Sequence, residues 1–309
     1  MTTPHGPHFL GIGAQRAGTT WVHQMLFGNP SVWLPPIKEL HHFDLFDQSG
    51  NLISDRLHDH RASRIRAWAK QPWHKEMRNP FRPEGRERFA DVWAMARYEL
   101  TTVLSKPTVT NYLKLFENAR RRGRIAGEIT PAYATLKPHQ VAEIKDAVGP
   151  DLKVFFILRD PIDRMWSHAT KHFVRTRGKR PGEVDHADYL AFVKSVPCQI
   201  RTDYATTLAT WRSVFGDANV LTCYFDDIRD APQDLLDQIE TFLGVPSDRR
   251  RPLLPANNSY RNKDDGIPPM LRPWLSHFSM QQCMALAERD PHPHIMRWME
   301  RAKEMAQNV

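Results

Sequence analysis

The stretch that most constrains this chain is Phe9-Leu-Gly-Ile-Gly-Ala-Gln-Arg-Ala-Gly-Thr-Thr20. Phe9 to Ile12 is short, mostly apolar and bounded by glycines, the pattern of a buried strand. Gly13, Ala17 and Gly18 follow, then Thr19 and Thr20 ahead of an apolar helical pattern. Strand, glycine-containing turn and helix in that order form a phosphate cradle, because backbone N–H groups converge and the helix N-terminus favours an anion. An ordinary βα turn is the competing reading, since short glycine motifs recur by chance.

The spacing Gly13-x4-Gly18 matches the nucleotide-binding P-loop, but Thr19 stands where that motif has its lysine. The basic side chain is instead Arg16, inside the loop. The sequence therefore predicts a loop that holds a phosphate yet is poorly matched to a triphosphate with magnesium.

Composition narrows the class. With 309 residues, 41% hydrophobic and 25% charged, the chain suits a soluble globule with a substantial core. A net charge of +8, rich in arginine, points to an anionic ligand, substrate or surface. No zinc-finger or RNP-type signature supports nucleic acid. Cys198, Cys223 and Cys283 are far apart and form no CxxC pair, so neither a disulfide frame nor a zinc site is expected. The N-terminus lacks the basic and apolar regions of a signal peptide, and no apolar run is long enough to span a bilayer. A soluble cytoplasmic protein is the expectation.

The first helix carries Trp21, Met25 and Leu26 on one face and stops near Gly28-Asn29-Pro30. Val32-Trp33-Leu34 reads as a second strand. The segment Lys38-Glu-Leu-His-His-Phe-Asp44 then follows a strand end, where open α/β sheets bind ligands. Its carboxylate and imidazoles are candidates for proton transfer. A solvated loop is the alternative, and a metal reading of His41, His42 and Asp44 is weaker, because adjacent histidines rarely aim at one ion.

Residues 48–105 lack a strand pattern and read as a helical insertion carrying acceptor contacts or a solvated basic face; Val92 to Leu104 is its helical part. Arg124 to Tyr133 contains a short strand whose end places Glu128, Thr130 and Tyr133 where ligands gather. Val154 to Leu158 is the clearest strand, apolar throughout as for a parallel strand covered on both faces. Arg159 follows it, with Asp160 as N-cap and Pro161 at the first helical position. Arg159 and Ser167 are expected to converge on one anion, unless Arg159 is spent on a nearby carboxylate. His168 and His172 lack the glutamate of HExxH, so no zinc is read there. Arg175 to Pro181 reads as a basic loop. Tyr204, Leu208, Trp211 and Phe215 form a core stripe. Asn219 to Phe225 is another strand, followed by a helix from about Gln233 to Leu243, closed by Gly244. Residues 257–266 read as a polar loop and the tail as helical. Alternating strands and helices predict an α/β fold. It is a three-layer, P-loop-type arrangement with a central, mainly parallel sheet flanked by helices, plus the helical insertion and helical C-terminus. The whole of 1–309 is read as one domain.

Taken in order, these motifs resemble the sulfotransferases that use 3′-phosphoadenosine 5′-phosphosulfate, closest to the heparan-sulfate-type and bacterial branch. Gln15 to Thr20 resembles the family's 5′-phosphosulfate loop. Leu158-Arg-Asp-Pro161 with Arg164 and Ser167 resembles its 3′-phosphate strand and helix. Lys38 to Asp44 resembles the catalytic segment of the glycan branch, and Gly127 to Tyr133 another of its loops. Tyr204 to Val245 resembles the later half. The resemblance implies that Arg16, Ala17, Gly18, Thr19 and Thr20 hold the 5′-phosphate and sulfuryl oxygens. It implies Arg159 and Ser167 on the 3′-phosphate, with Arg261 and Lys263 covering the donor. Glu39 would be the base, with His41 assisting it and Arg16 stabilising the leaving group. His41, Asp44 and Tyr133 would meet the acceptor. It also implies a small-molecule, lipid or glycan acceptor, no metal and no nucleic acid. Arg16 replaces a common lysine, and Ile129 replaces a lysine that touches acidic glycans in the heparan-type enzymes. A P-loop small-molecule kinase and a non-catalytic basic binding module are the alternatives.

Overall fold

The computed structural model describes residues 6–45, 61–62, 64–66, 83–104, 107–247, 249–255 and 266–307. Much of the expected insertion and the polar loop before Gly266 lie outside the described residues. Parallel strands β1 (Phe9–Gly13), β2 (Val32–Trp33), β3 (Ile125–Ile129), β4 (Lys153–Leu158) and β5 (Val220–Tyr224) form one sheet in the order β2-β3-β1-β4-β5. The longer helices are, in chain order, α1 (Thr19–Phe27), α2 (Pro83–Leu104), α3 (Val109–Arg121), α4 (Pro138–Val148) and α5 (Pro161–Arg177). They continue with α6 (His186–Lys194), α7 (Tyr204–Phe215), α8 (Phe225–Asp230), α9 (Pro232–Leu243), α10 (Arg272–Ala287) and α11 (Pro293–Gln307).

The apolar runs that mark β1 and β4 are buried along their length, as strands covered on both faces require. Helix α3 packs on β3, while α7 and α9 pack on the β4–β5 side of the sheet. The α7 stripe Tyr204, Leu208, Trp211 and Phe215 is buried, so it is core as its period implied. The C-terminal pair α10 and α11 packs together, and α10 closes a second apolar cluster with Ile162, Met165 and Trp166 of α5.

Two boundaries differ from the sequence reading. Helix α2 begins at Pro83 rather than near Val92. Its first turns, Pro-Glu-Gly-Arg-Glu-Arg, show no apolar period, yet proline suits a first helical position. Helix α5 runs through Arg175 to Arg177, expected in a loop, and stops only at Gly178, whose φ of 63° is left-handed. Basic residues favour a helix C-terminus, and glycine supplies the stop.

The strand order also fixes where a ligand belongs. The chain leaves central β1 for β2, returns through β3, then crosses to β4 and β5 on the other side. The carboxyl end of β1 is therefore the topological switch point of the sheet, where open α/β folds bind ligands.

Gly18 ends the turn after β1 at φ 81°, and a Cβ there would overlap Ile228 Cδ1 and lie 3.0 Å from Phe225 Cδ2. Gly123 has a similar φ of 71° but open space around it. Gly123→Ala should cost only the left-handed penalty of about 1–2 kcal/mol in urea unfolding. Gly18→Ala should cost about 1–3 kcal/mol more, because packed side chains must also shift.

Candidate functional site

The turn from β1 into α1 is drawn tight by its own amides. Ala14 N donates to Ile157 O on β4 at 2.7 Å, and Ala17 N donates to Ala14 O at 3.1 Å. The Ala17 amide, expected at the phosphate, closes the turn on Ala14. Arg16 sits at φ 74° and Gly18 at 81°. The amides of Thr19 and Thr20, in the first turn of α1, have no intrahelical acceptor by helix geometry.

Strand β4 delivers the second half of the cradle. Asp160 caps α5 by accepting from Ile162 N at 2.8 Å, with Pro161 in the first position, as the sequence predicts. Arg159, just before the cap, donates from Nη1 to the Arg16 carbonyl at 2.8 Å. Its guanidinium lies 4.3 Å from the Phe225 ring centre and 3.7 Å from Asp163 Oδ2. Ser167, one and a half turns into α5, accepts from Arg16 Nε at 3.0 Å. The structure therefore brings Arg16, Arg159 and Ser167 together. Arg159 Nε is buried with no acceptor among the described residues. Nearby, burial and the positive charges of Arg164, Arg201 and Arg16 push the His168 imidazole down to about 3. Burial is the larger cause, and the neighbouring arginines add to it. Arg164 itself is fully buried and donates to the Cys198 carbonyl at 2.9 Å, so it serves packing rather than the cradle.

The segment after β2 lies against the same loop. Lys38 Nζ donates to Thr19 Oγ1 at 3.0 Å and Thr20 Oγ1 at 3.2 Å, and lies 3.2 Å from Glu39 Oε1. Glu39 Oε2 is 3.5 Å from His41 Nε2, and His41 Nδ1 is 2.8 Å from Asp44 Oδ2. Burial alone would raise the Glu39 carboxyl, but the His41 hydrogen bond and the Lys38 charge outweigh it and hold it down at about 2. Burial would likewise lower His41, yet its bonds to Asp44 and Glu39 raise it to about 10. At neutral pH these effects leave Glu39 a carboxylate and His41 an imidazolium. Glu39 is also the most open of the four, with 40% of its side chain exposed.

Glu39 and His41 sit at φ 63° and 54°, a left-handed backbone that needs support. Arg64 Nη1 donates to the carbonyls of Lys38 and Glu39, each at 2.9 Å, and its guanidinium pairs with buried Glu99 on α2. From the sheet, Glu128 Oε2 accepts from Leu40 N at 3.3 Å, and Tyr133 Oη accepts from His42 N at 3.0 Å. Glu128 also accepts hydrogen bonds from the hydroxyls of Tyr112 at 2.7 Å, Tyr133 at 2.9 Å and Thr130 at 2.7 Å. Burial pushes this carboxyl up, while its donors pull the other way. Glu128, Thr130 and Tyr133 are all essentially inaccessible. This corrects the reading of Tyr133 as an acceptor contact: its hydroxyl is used on both sides to hold the segment. His42 turns inward and stacks on Tyr112 at 4.5 Å, whereas His41 faces the cradle. Neighbouring imidazoles on opposite sides of the backbone do not share an ion. Among the described residues no group of three or more His, Cys, Asp or Glu is placed to hold a metal.

Arg261 and Lys263 lie outside the described residues. Asp44 meets His41, a contact that orients the imidazole. Sequence reasoning missed Lys38, although it is next to Glu39, because spacing does not show that its amine reaches back to α1. It also missed Arg64, which lies in a stretch with no periodic signal, and Glu99, whose helix was visible but whose partner was not.

Arg64→Met should leave Glu99 buried without its partner and cost about 3–5 kcal/mol in chemical denaturation. Arg64→Met combined with Glu99→Leu should regain most of that loss, because the stranded charge is gone.

A family model described as the sulfotransferase family matches residues 7–249. No curated protein matches the chain. Among solved structures, the crystal structure of a sulfotransferase from Alicyclobacillus acidocaldarius is similar at TM-score 0.58 and 21% identity, covering 94% of this chain and 98% of that one. The sulfotransferase domain of the Synechococcus PCC 7002 olefin synthase is similar at TM-score 0.48 and 19% identity, with 97% of each chain covered.

Proposed function

The chain belongs to the sulfotransferase family, and from that premise we propose that it moves a sulfuryl group from 3′-phosphoadenosine 5′-phosphosulfate to a hydroxyl or amine. The observation that carries the donor assignment is the junction of Arg16, Ser167 and Arg159 at the carboxyl ends of β1 and β4. A nucleotide with anions at both its 5′ and 3′ positions fits two adjacent cationic positions. The acceptor-less, buried Arg159 Nε is a donor of the kind a phosphate oxygen would satisfy.

In this reading the Thr19 and Thr20 amides, the α1 terminus and Arg16 hold the 5′-phosphosulfate. Arg159 and Ser167 hold the 3′-phosphate. The donor supplies a sulfuryl group already activated as a mixed anhydride with phosphate. Glu39 takes the proton from the attacking acceptor oxygen or nitrogen, and His41 fixes its carboxylate from the far side. Asp44 keeps His41 charged. Cationic groups aimed at the leaving phosphate lower the barrier by stabilising charge that develops there. The acceptor is a small molecule, lipid or glycan reached through the exposed side of Glu39.

Titration calorimetry tests the donor site. Adenosine 3′,5′-bisphosphate should bind in preference to magnesium–ATP; the reverse preference would point to a kinase, and binding of neither to a non-catalytic module. Arg159→Ala should weaken bisphosphate binding by about 1.5–3 kcal/mol, the range for a hydrogen bond to a charged group.

Glu39→Gln should leave bisphosphate affinity unchanged. Its transfer rate, followed with labelled donor against a panel of hydroxyl and amine acceptors, should fall by about 10²–10⁴-fold. Full activity in this variant would remove Glu39 as the base.

A further inference from the structure

The P-loop spacing in this chain lacks the lysine that normally follows its last glycine, and Thr19 stands there instead. The fold brings an ammonium to that place from elsewhere. Lys38 Nζ touches the hydroxyls of both Thr19 and Thr20, and on its other side lies 3.2 Å from Glu39 Oε1. No other described lysine bridges the first turn of α1 and the proton-accepting carboxylate.

We propose that Lys38 is a catalytic cation of the sulfuryl transfer, contacting the sulfuryl oxygens as the group passes from the β1–α1 loop to the acceptor at Glu39. This inference rests on the proposed function and deepens it. The geometric reason is the in-line path. The leaving phosphate sits in the loop, and the incoming oxygen or nitrogen sits on Glu39, so sulfur travels between them. An ammonium in contact with both ends lies beside that path. In the step, the acceptor heavy atom forms a bond to sulfur and its proton goes to Glu39. The bond from sulfur to the bridging phosphate oxygen breaks, its electron pair stays on that oxygen, and adenosine 3′,5′-bisphosphate departs. The three sulfuryl oxygens carry negative charge throughout. A cation beside them holds the group in line between the leaving phosphate and the acceptor at Glu39.

On its α1 side the amine rests on neutral oxygens, while Glu39 pairs with its other side. The described partners of Lys38 toward α1 are neutral hydroxyls, which an anionic oxygen displaces easily. Its backbone is fixed independently, because Arg64 grips the Lys38 carbonyl. Burial lowers the amine while Glu39 raises it, so the two opposing effects act on one group. Arg16 approaches the loop from the opposite side, toward Ser167. The two cations thus divide the work: Arg16 holds the 5′-phosphate from the Ser167 side and Lys38 faces the acceptor.

The test compares two ligands that differ only by the sulfuryl group. Calorimetry of wild type, Lys38→Met and Lys38→Gln is run with adenosine 3′,5′-bisphosphate and with 3′-phosphoadenosine 5′-phosphosulfate. Both variants should lose at least about tenfold in affinity for the sulfated nucleotide, the scale of one charge-assisted contact, and less than about threefold for the bisphosphate. Glutamine keeps a donor for Thr19 and Thr20 but carries no charge. A loss in Lys38→Met that Lys38→Gln restores would make Lys38 a mere tether and overturn the proposal. Equal losses for both ligands, or none, would also overturn it. Should wild type bind neither nucleotide, the donor assignment itself falls, a result distinct from failure of Lys38 alone.

Discussion

Arg16 adopts a left-handed backbone, which turns its carbonyl out of the β1–α1 loop and toward β4. Arg159 Nη1 meets that carbonyl at 2.8 Å, and Arg16 Nε reaches back to Ser167 on α5. Two parallel neighbours in the sheet are thereby tied together at their carboxyl ends by reciprocal contacts. The side chain of each arginine is placed by the other's element. Loss of either would loosen the loop and the second cationic position together, so the two positions behave as one unit. Phe225 beneath Arg159 adds a face that favours the guanidinium without competing for its hydrogen bonds.

The segment carrying Glu39 depends on a different device. Its left-handed residues are held from one side by a buried ion pair and from the other by a buried carboxylate. Such groups are tolerable only when they are satisfied, and Glu128 accepts from Tyr112, Tyr133, Thr130 and the Leu40 amide. The polar cluster therefore converts burial into orientation: Leu40 and His42 are anchored inward, which turns Glu39 and His41 outward to the cradle. Strain at the two reactive residues is balanced by bonds made to their neighbours.

Much of this was legible in the sequence, and the parts that were not have a common cause. Burial pattern revealed β1, β4 and the α7 stripe, because apolar runs and periods report a single element's environment. Asp160, Pro161 and Gly244 marked helix ends, because capping is local chemistry. Motifs around the ends of β1 and β4 pointed to Arg16, Arg159 and Ser167, which the structure brings together. Tyr133 was assigned to the acceptor for the same positional reason. Its strand end faces the site, but its hydroxyl points into the core, and strand position does not specify that choice. Lys38 and Arg64 act across long sequence separations through side-chain reach, which no spacing rule encodes. Arg64 lies where polar and aromatic residues alternate without period, so nothing local distinguished it from a solvated face.

The cations of the site rest mostly on neutral oxygens. Arg16 bonds a serine hydroxyl, Lys38 two threonine hydroxyls, and Arg159 a backbone carbonyl. The carboxylate nearest Arg159, Asp163, stands off at 3.7 Å, while Glu39 shares Lys38 at 3.2 Å, the same distance as Thr20. A cation fully paired with a carboxylate would have to break that pair before meeting an anionic ligand, at a cost of several kcal/mol if buried. A cation resting on neutral oxygens exchanges one hydrogen bond for a stronger, charge-assisted one. The hydroxyls of Thr19, Thr20 and Ser167 keep the arginine and lysine side chains in place, and yet can be displaced. The chemistry of the loop thus follows from where its neutral acceptors lie as much as from where its charges lie.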